Sequence, residues 1–137
     1  VVCSYFTSLK FIGSVYLVLV LSSCGYDDRK NALLNNAINP KLDDKAIVFY
    51  TTGMVSVFSY NVSILPRDSE LSNNCRANVF SYTWCDTIKH DKDTLVEIIW
   101  EEPETLVIYH PEKGTFWKKE SKLNYNGTEY SIEYKVK

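Results

Sequence analysis

The chain has 137 residues, one domain's worth, and a formal net charge of −2 with acidic and basic residues interspersed. No run of Lys and Arg marks a nucleic-acid surface, and no acidic block marks a solvating tail. Aromatic residues make up 14% of the chain, while Gly (5) and Pro (4) are few, a balance that suits a packed, β-rich domain rather than a disordered one.

The first element in chain order is FIGSVYLVLVL, residues 11–21, an uncharged run preceded by Lys10. A membrane-spanning helix needs about 20 apolar residues. This run is about half that, the length of a signal-peptide core. Extending it back through Phe6 and Tyr5 would place Lys10 in mid-bilayer, which is costly. The run ends in Leu21-Ser22-Ser23-Cys24, which resembles the lipobox of bacterial lipoproteins: a Leu, two small residues and a Cys. The resemblance implies a lipoprotein signal peptide over residues 1–23 and cleavage between Ser23 and Cys24. Cys24 would then carry a diacylglyceryl thioether as the acylated N-terminus. Several acyl chains on one residue give stable membrane anchoring where a single chain would not. The implied location is the cell envelope. Gly25, standing where Asp would favour inner-membrane retention, points to the outer membrane in a Gram-negative host.

Residues 24–44 follow as a polar, Asn-rich stretch whose only apolar cluster is Ala32, Leu33 and Leu34. It reads as a tether between membrane and domain, with one short helix over residues 29–38 capped by Asp27 or Asp28 as the alternative. From Lys45 the hydrophobic period changes to two, and residues 45–137 read as the β-domain. AIVFYTT (residues 46–52) is a strand broken by Gly53, and residues 54–65 form a long strand with one buried face carrying Phe58, Tyr60, Val62 and Ile64. Pro66 ends it, and residues 66–74 form a loop. NVFSYTW, LVEIIW, TLVIYH and TFWKKE are further strands, separated by the turns EEPE and PEKG. Asn126-Gly127 is a strong hairpin signal, and Tyr130, Ile132, Tyr134 and Val136 alternate with polar residues after it. The expected fold is all-β: a small antiparallel sandwich or curled sheet of about seven or eight short strands.

Stretches 45–65, 78–80 and 95–110 are also similar to a family of small bacterial membrane-anchored and lipoprotein-like proteins of unknown function. The likeness runs over roughly residues 41–136 and is carried by single residues. TTGMVS stands where that family has a GATT turn, and Asn61 where it often has Gln. The resemblance implies fold and class, and carries over no catalytic residue.

Chemistry-bearing residues are sparse. With Cys3 in the signal and Cys24 acylated, Cys75 and Cys85 remain, and an even pair in an exported protein reads as a disulfide, with two free thiols as the alternative. Nine intervening residues match no zinc or redox spacing. His90 lies among Asp86, Asp91 and Asp93, but Lys89 and Lys92 oppose a cation there, so a solvated turn is expected and no metal or cofactor is implied. His110, before Pro111 at a strand end, reads as a surface residue. Glu101, Glu102 and Glu104 cluster at a turn, where acids are usually solvated. Trp84, Trp100 and Trp117 read as core. Phe116, Trp117, Lys118 and Lys119 form a candidate binding surface for an anionic glycan or lipid headgroup, against an edge strand guarded by lysines. No nucleophile–base pattern is present in the sequence. The expectation is therefore a lipid-anchored, non-catalytic binding or assembly module that meets an envelope protein or glycan. An inhibitor or immunity-type protein with a protruding loop at residues 66–74 is the first alternative, and a small envelope hydrolase the second.

Overall fold

The computed structural model describes residues 28–53, 58–84 and 95–137. These form nine strands: β1 (Lys30–Ile38), β2 (Asp44–Thr52), β3 (Ser59–Pro66), β4 (Phe80–Thr83), β5 (Glu97–Glu102), β6 (Thr105–His110), β7 (Thr115–Lys119), β8 (Lys122–Tyr125) and β9 (Thr128–Val136). One sheet has the order β1-β2-β3-β4-β7 and the other β5-β6-β9-β8, and the two form a sandwich. The all-β expectation is met. The expected signal segment, Cys24 and the first part of the expected long strand lie outside the described residues.

Two features depart from the expectation. Residues 30–38, read as a tether or helix, are the edge strand β1, paired along β2 from Lys30↔Thr52 to Ile38↔Lys45. The register slips between Leu33 and Asn35, so Leu34 is an extra residue and the period of two is broken in mid-strand. That bulge turns Leu34 and Ala37 toward the core while Leu33 and Asn36 line the outer face. The sandwich is also not wholly antiparallel, because β9 lies parallel to β6. The parallel pair arises because the chain leaves β6, joins the other sheet as β7, and returns through the β8–β9 hairpin.

The core lies between the sheets. Ala46, Val48, Tyr60, Val62, Ile64, Phe80 and Tyr82 from the first sheet meet Val96, Ile98, Leu106, Ile108, Tyr130 and Ile132 from the second. Alternation within each strand puts these side chains on one face, and burying aliphatic and aromatic side chains stabilises the fold by roughly 1.5–3 kcal/mol each. At one end, Asn39 is buried and closes the β1–β2 turn: its Oδ1 accepts from the N–H groups of Lys41 (3.0 Å) and Leu42 (2.9 Å). Its Nδ2 donates to the Pro103 carbonyl (2.6 Å) in the β5–β6 turn. Trp100 Nε1 donates to the Ala37 carbonyl (2.9 Å), a second tie from the β5 edge to β1. The β8–β9 turn is the one the sequence signals, with Asn126 at φ 48° and Gly127 at φ 80°, the left-handed pair of a tight hairpin.

Candidate functional site

Strands β2 and β3 are buried on both faces, although a single buried face was expected for β3. Ile47, Phe49, Asn61 and Ser63 point away from the core and are nevertheless buried. Their cover includes the chain segment 67–78 between β3 and β4, which folds back over the outer face. Asn31 on β1 holds it: Nδ2 donates to the carbonyls of Ser72 (2.9 Å) and Cys75 (3.0 Å), and the Asn31 N–H donates to Asn73 Oδ1 (3.0 Å). Ser63 Oγ donates to the Arg76 carbonyl (2.9 Å) and accepts from the Asn78 N–H (3.1 Å). Asn78 then pairs with Ile64 as a strand residue would, its Oδ1 accepting from the Ile64 N–H (2.9 Å) and its Nδ2 donating to the Ile64 carbonyl (2.8 Å). The expected protruding loop at 66–74 is therefore laid against the sheet.

A cavity of about 340 Å³ opens between this segment and strands β1–β3. Leu33, Ile47, Leu65 and Leu71 supply apolar walls; Asn31, Asn36, Lys45, Ser69 and Glu70 supply polar groups. Lys45 Nζ donates to the Ser69 carbonyl (2.5 Å), joining strand to loop and leaving further ammonium protons for another acceptor. Beside the cavity an uncharged ladder crosses four strands. Thr51 Oγ1 donates to Asn31 Oδ1 (2.7 Å), Asn61 Nδ2 to Thr51 Oγ1 (2.9 Å), and Ser81 Oγ to Asn61 Oδ1 (2.8 Å). These groups satisfy one another, so the ladder supports the cavity wall rather than offering open bonds.

The residues singled out from the sequence are separated. Phe116 faces inward against Phe80 and Tyr82 (centroids 5.9 and 5.3 Å), whereas Trp117 is 62% exposed on the outer face and donates from Nε1 to Thr83 Oγ1 (2.9 Å). Trp117 is thus not core, whereas Trp100 packs on Tyr130 (5.5 Å) and half-buried Trp84 on Tyr82 (6.4 Å). Lys118 lies opposite Ser81, and Lys119 turns back over the rings of Phe116 (4.8 Å) and Tyr134 (4.6 Å). The pleat of β7 and its bulge against β4 divide the four residues between two surfaces.

His110 is buried at 3% exposure, not a surface residue. Its ring stacks on Phe80 (5.7 Å) and meets Phe116 edge-on (5.0 Å). Nδ1 lies 2.7 Å from the Pro111 carbonyl, an acceptor, so Nδ1 carries the proton and Nε2 faces the Lys119 ammonium at 3.5 Å. Among the turn acids, Glu101 is bound by Lys135 (2.6 Å), and Glu102 and Glu104 are exposed. The Cys75 thiol is free and half-buried, and burial pushes its pKa up. Cys85, His90 and the surrounding aspartates lie outside the described residues. No group of three His, Cys, Asp or Glu placed to hold a metal occurs among the described residues.

No protein-family model, curated protein or solved structure matches this chain. The cavity itself was not legible in the sequence: Asn31, Leu33 and Asn36 sit in the stretch read as a tether, and only the β1–β2 pairing brings them beside Lys45 and Ile47.

Proposed function

We propose that this protein is a lipid-anchored component of a bacterial cell envelope and acts by binding through its β-sandwich, not by catalysis. The observation that carries the binding reading is the cavity beneath segment 67–78. It is of metabolite size and sets apolar walls beside polar groups from β1, β2 and the segment's Ser69 and Glu70, the usual make-up of a ligand pocket. The anchor reading rests on Leu21-Ser22-Ser23-Cys24. The two fit together sterically. Five residues lie between Cys24 and Lys30, a span of at most about 20 Å, so an acylated Cys24 holds the sandwich against the membrane surface.

Metabolic labelling with a fatty-acid analogue tests the anchor: wild-type protein takes up label and Cys24→Ala does not, and equal labelling of both defeats the reading. For the cavity, 3-methylbutanol serves as a small amphipathic probe. Its amide shift changes should centre on Leu33, Ile47 and Leu71 and vanish in Leu71→Trp, which fills the space. Shifts scattered over the surface, or unchanged by Leu71→Trp, would place binding elsewhere.

A further inference from the structure

We propose that the end of the sandwich where β1 begins lies in the membrane interface, with Phe58, Trp117 and Val136 seated among the lipid headgroups; this rests on the anchor reading above. Strand pairing puts the three at the same end. Lys30 pairs with Thr52 and Thr51 with Ser59, so Phe58, just before β3, stands beside the start of β1. Tyr60 pairs with Tyr82 and Thr83 with Thr115, which carries the same end across β4 to β7, where Trp117 bonds to Thr83. His110 pairs with Val136, so the β6–β9 pair finishes there too, next to the turn that leads into β7.

Phe58, Trp117 and Val136 are 59%, 62% and 59% exposed, half of the six large hydrophobic side chains exposed among the described residues. An exposed apolar set on a soluble face is a liability, whereas Trp and Phe are favoured at the boundary between headgroups and acyl chains. The two ends differ in charge. Among the described residues the β1 end carries Arg29, Lys30 and Lys113 against Asp28 and Glu112, while Lys137 is paired with Glu97 (2.6 Å). The opposite end carries exposed Asp43, Asp68, Glu102 and Glu104, together with Lys41 and Arg67, the latter bound to Asp43 (3.5 Å). Among the described residues the far end is the more acidic of the two, and an anionic membrane surface disfavours that end. The short step from Cys24 to Lys30 brings the β1 end, not the acidic one, to the membrane. The cavity, on the outer face of β1–β3, then opens sideways along the bilayer rather than into it.

The test is tryptophan quenching by brominated phospholipids, using the full-length acylated protein in vesicles containing anionic lipid. Trp117 is one of three tryptophans, so wild-type emission should fall by up to about one third, and Trp117→Phe should abolish that fall. Phe58→Ser with Lys30→Glu should reduce the quenching at least twofold. All these positions are exposed, and an unchanged circular dichroism melt confirms that the variants fold. Vesicle-bound, fatty-acid-labelled protein whose emission is not quenched overturns the docking proposal and leaves the anchor standing. Quenching that persists in Trp117→Phe overturns it as well, because another face would then touch the lipid. Failure of Cys24 to take up label is a separate result and removes the anchor itself.

Discussion

Tyr130 and Asp44 meet in the core, the phenol donating to Asp44 Oδ2 across the gap between the sheets. Burial, then the hydrogen bond and charge of Asp44, push the Tyr130 pKa well above its ordinary 10.0; burial and Glu120 do the same to Tyr134. A raised folded-state pKa contributes stability that is complete below the unfolded value and is lost as pH climbs through the folded one. The urea midpoint should therefore fall as pH is raised beyond about 10, and Tyr130→Phe should flatten that fall. At neutral pH the same substitution strands a buried carboxylate and should cost about 2 kcal/mol, read from denaturant unfolding. An unaltered alkaline slope in Tyr130→Phe would show that its proton is not the one involved. His110 teaches the complementary lesson. A His before Pro at a strand end has the local look of a solvated residue, yet the passage of the chain from β6 into the other sheet folds Phe80, Phe116 and Tyr134 around it. Nothing near it in sequence except Phe116 hints at that cage.

At the scale of elements, segment 67–78 behaves as a third layer, covering the outer face of the first sheet, rather than as a loop. Its hold depends on side chains from β1 and β3, Asn31 and Ser63 above all. Asn31→Ala removes two donated bonds to the segment and the acceptor for Thr51, and should cost about 2 kcal/mol. Limited proteolysis should then cut within 67–78 at least several times faster, while the β8–β9 hairpin stays resistant. Equal cutting rates in wild type and variant would mean that packing on Ile47 and Phe49 holds the segment without Asn31. The hairpin was legible because its turn chemistry is local: Asn126 and Gly127 both adopt positive φ. The cover over β3 was not, because Asn61 and Ser63 are polar and read as a solvent face, whereas here they are buried with their hydrogen bonds met inside the protein.

For the whole molecule, the decisive element is β1. It closes the first sheet, supplies Leu34 and Ala37 to the core, receives the Trp100 bond and leads into the Asn39 turn that holds the β5–β6 turn. Deleting residues 28–38 removes all of this except Asn39 and exposes the paired edge of β2. The shortened chain should lose its cooperative thermal transition, measured by circular dichroism. A melt like that of the intact chain would restore the reading of this stretch as a tether. With β1 part of the domain, five residues of sequence lie between Cys24 and the first strand, so an anchor at Cys24, as proposed, would hold the sandwich close to the membrane and not on a long leash.

Strand identity and turn position came from the residues themselves, since a period of two, Gly and Pro punctuation and an Asn-Gly turn depend on neighbours in the chain. TLVIYH is β6 over Thr105–His110, and TFWKK is β7 over Thr115–Lys119, as the pattern indicates. The likeness of Leu21–Cys24 to a lipobox is likewise carried by neighbouring residues. Tertiary structure alone decided which sheet each strand joins, that β9 runs parallel to β6, that a bulged, Asn-rich stretch is an edge strand, and that a cavity lies under segment 67–78. The reason is physical. These outcomes are settled by contacts between residues tens of positions apart, such as Asn31 with Cys75 and Asp44 with Tyr130, and such contacts leave no periodic mark on either partner.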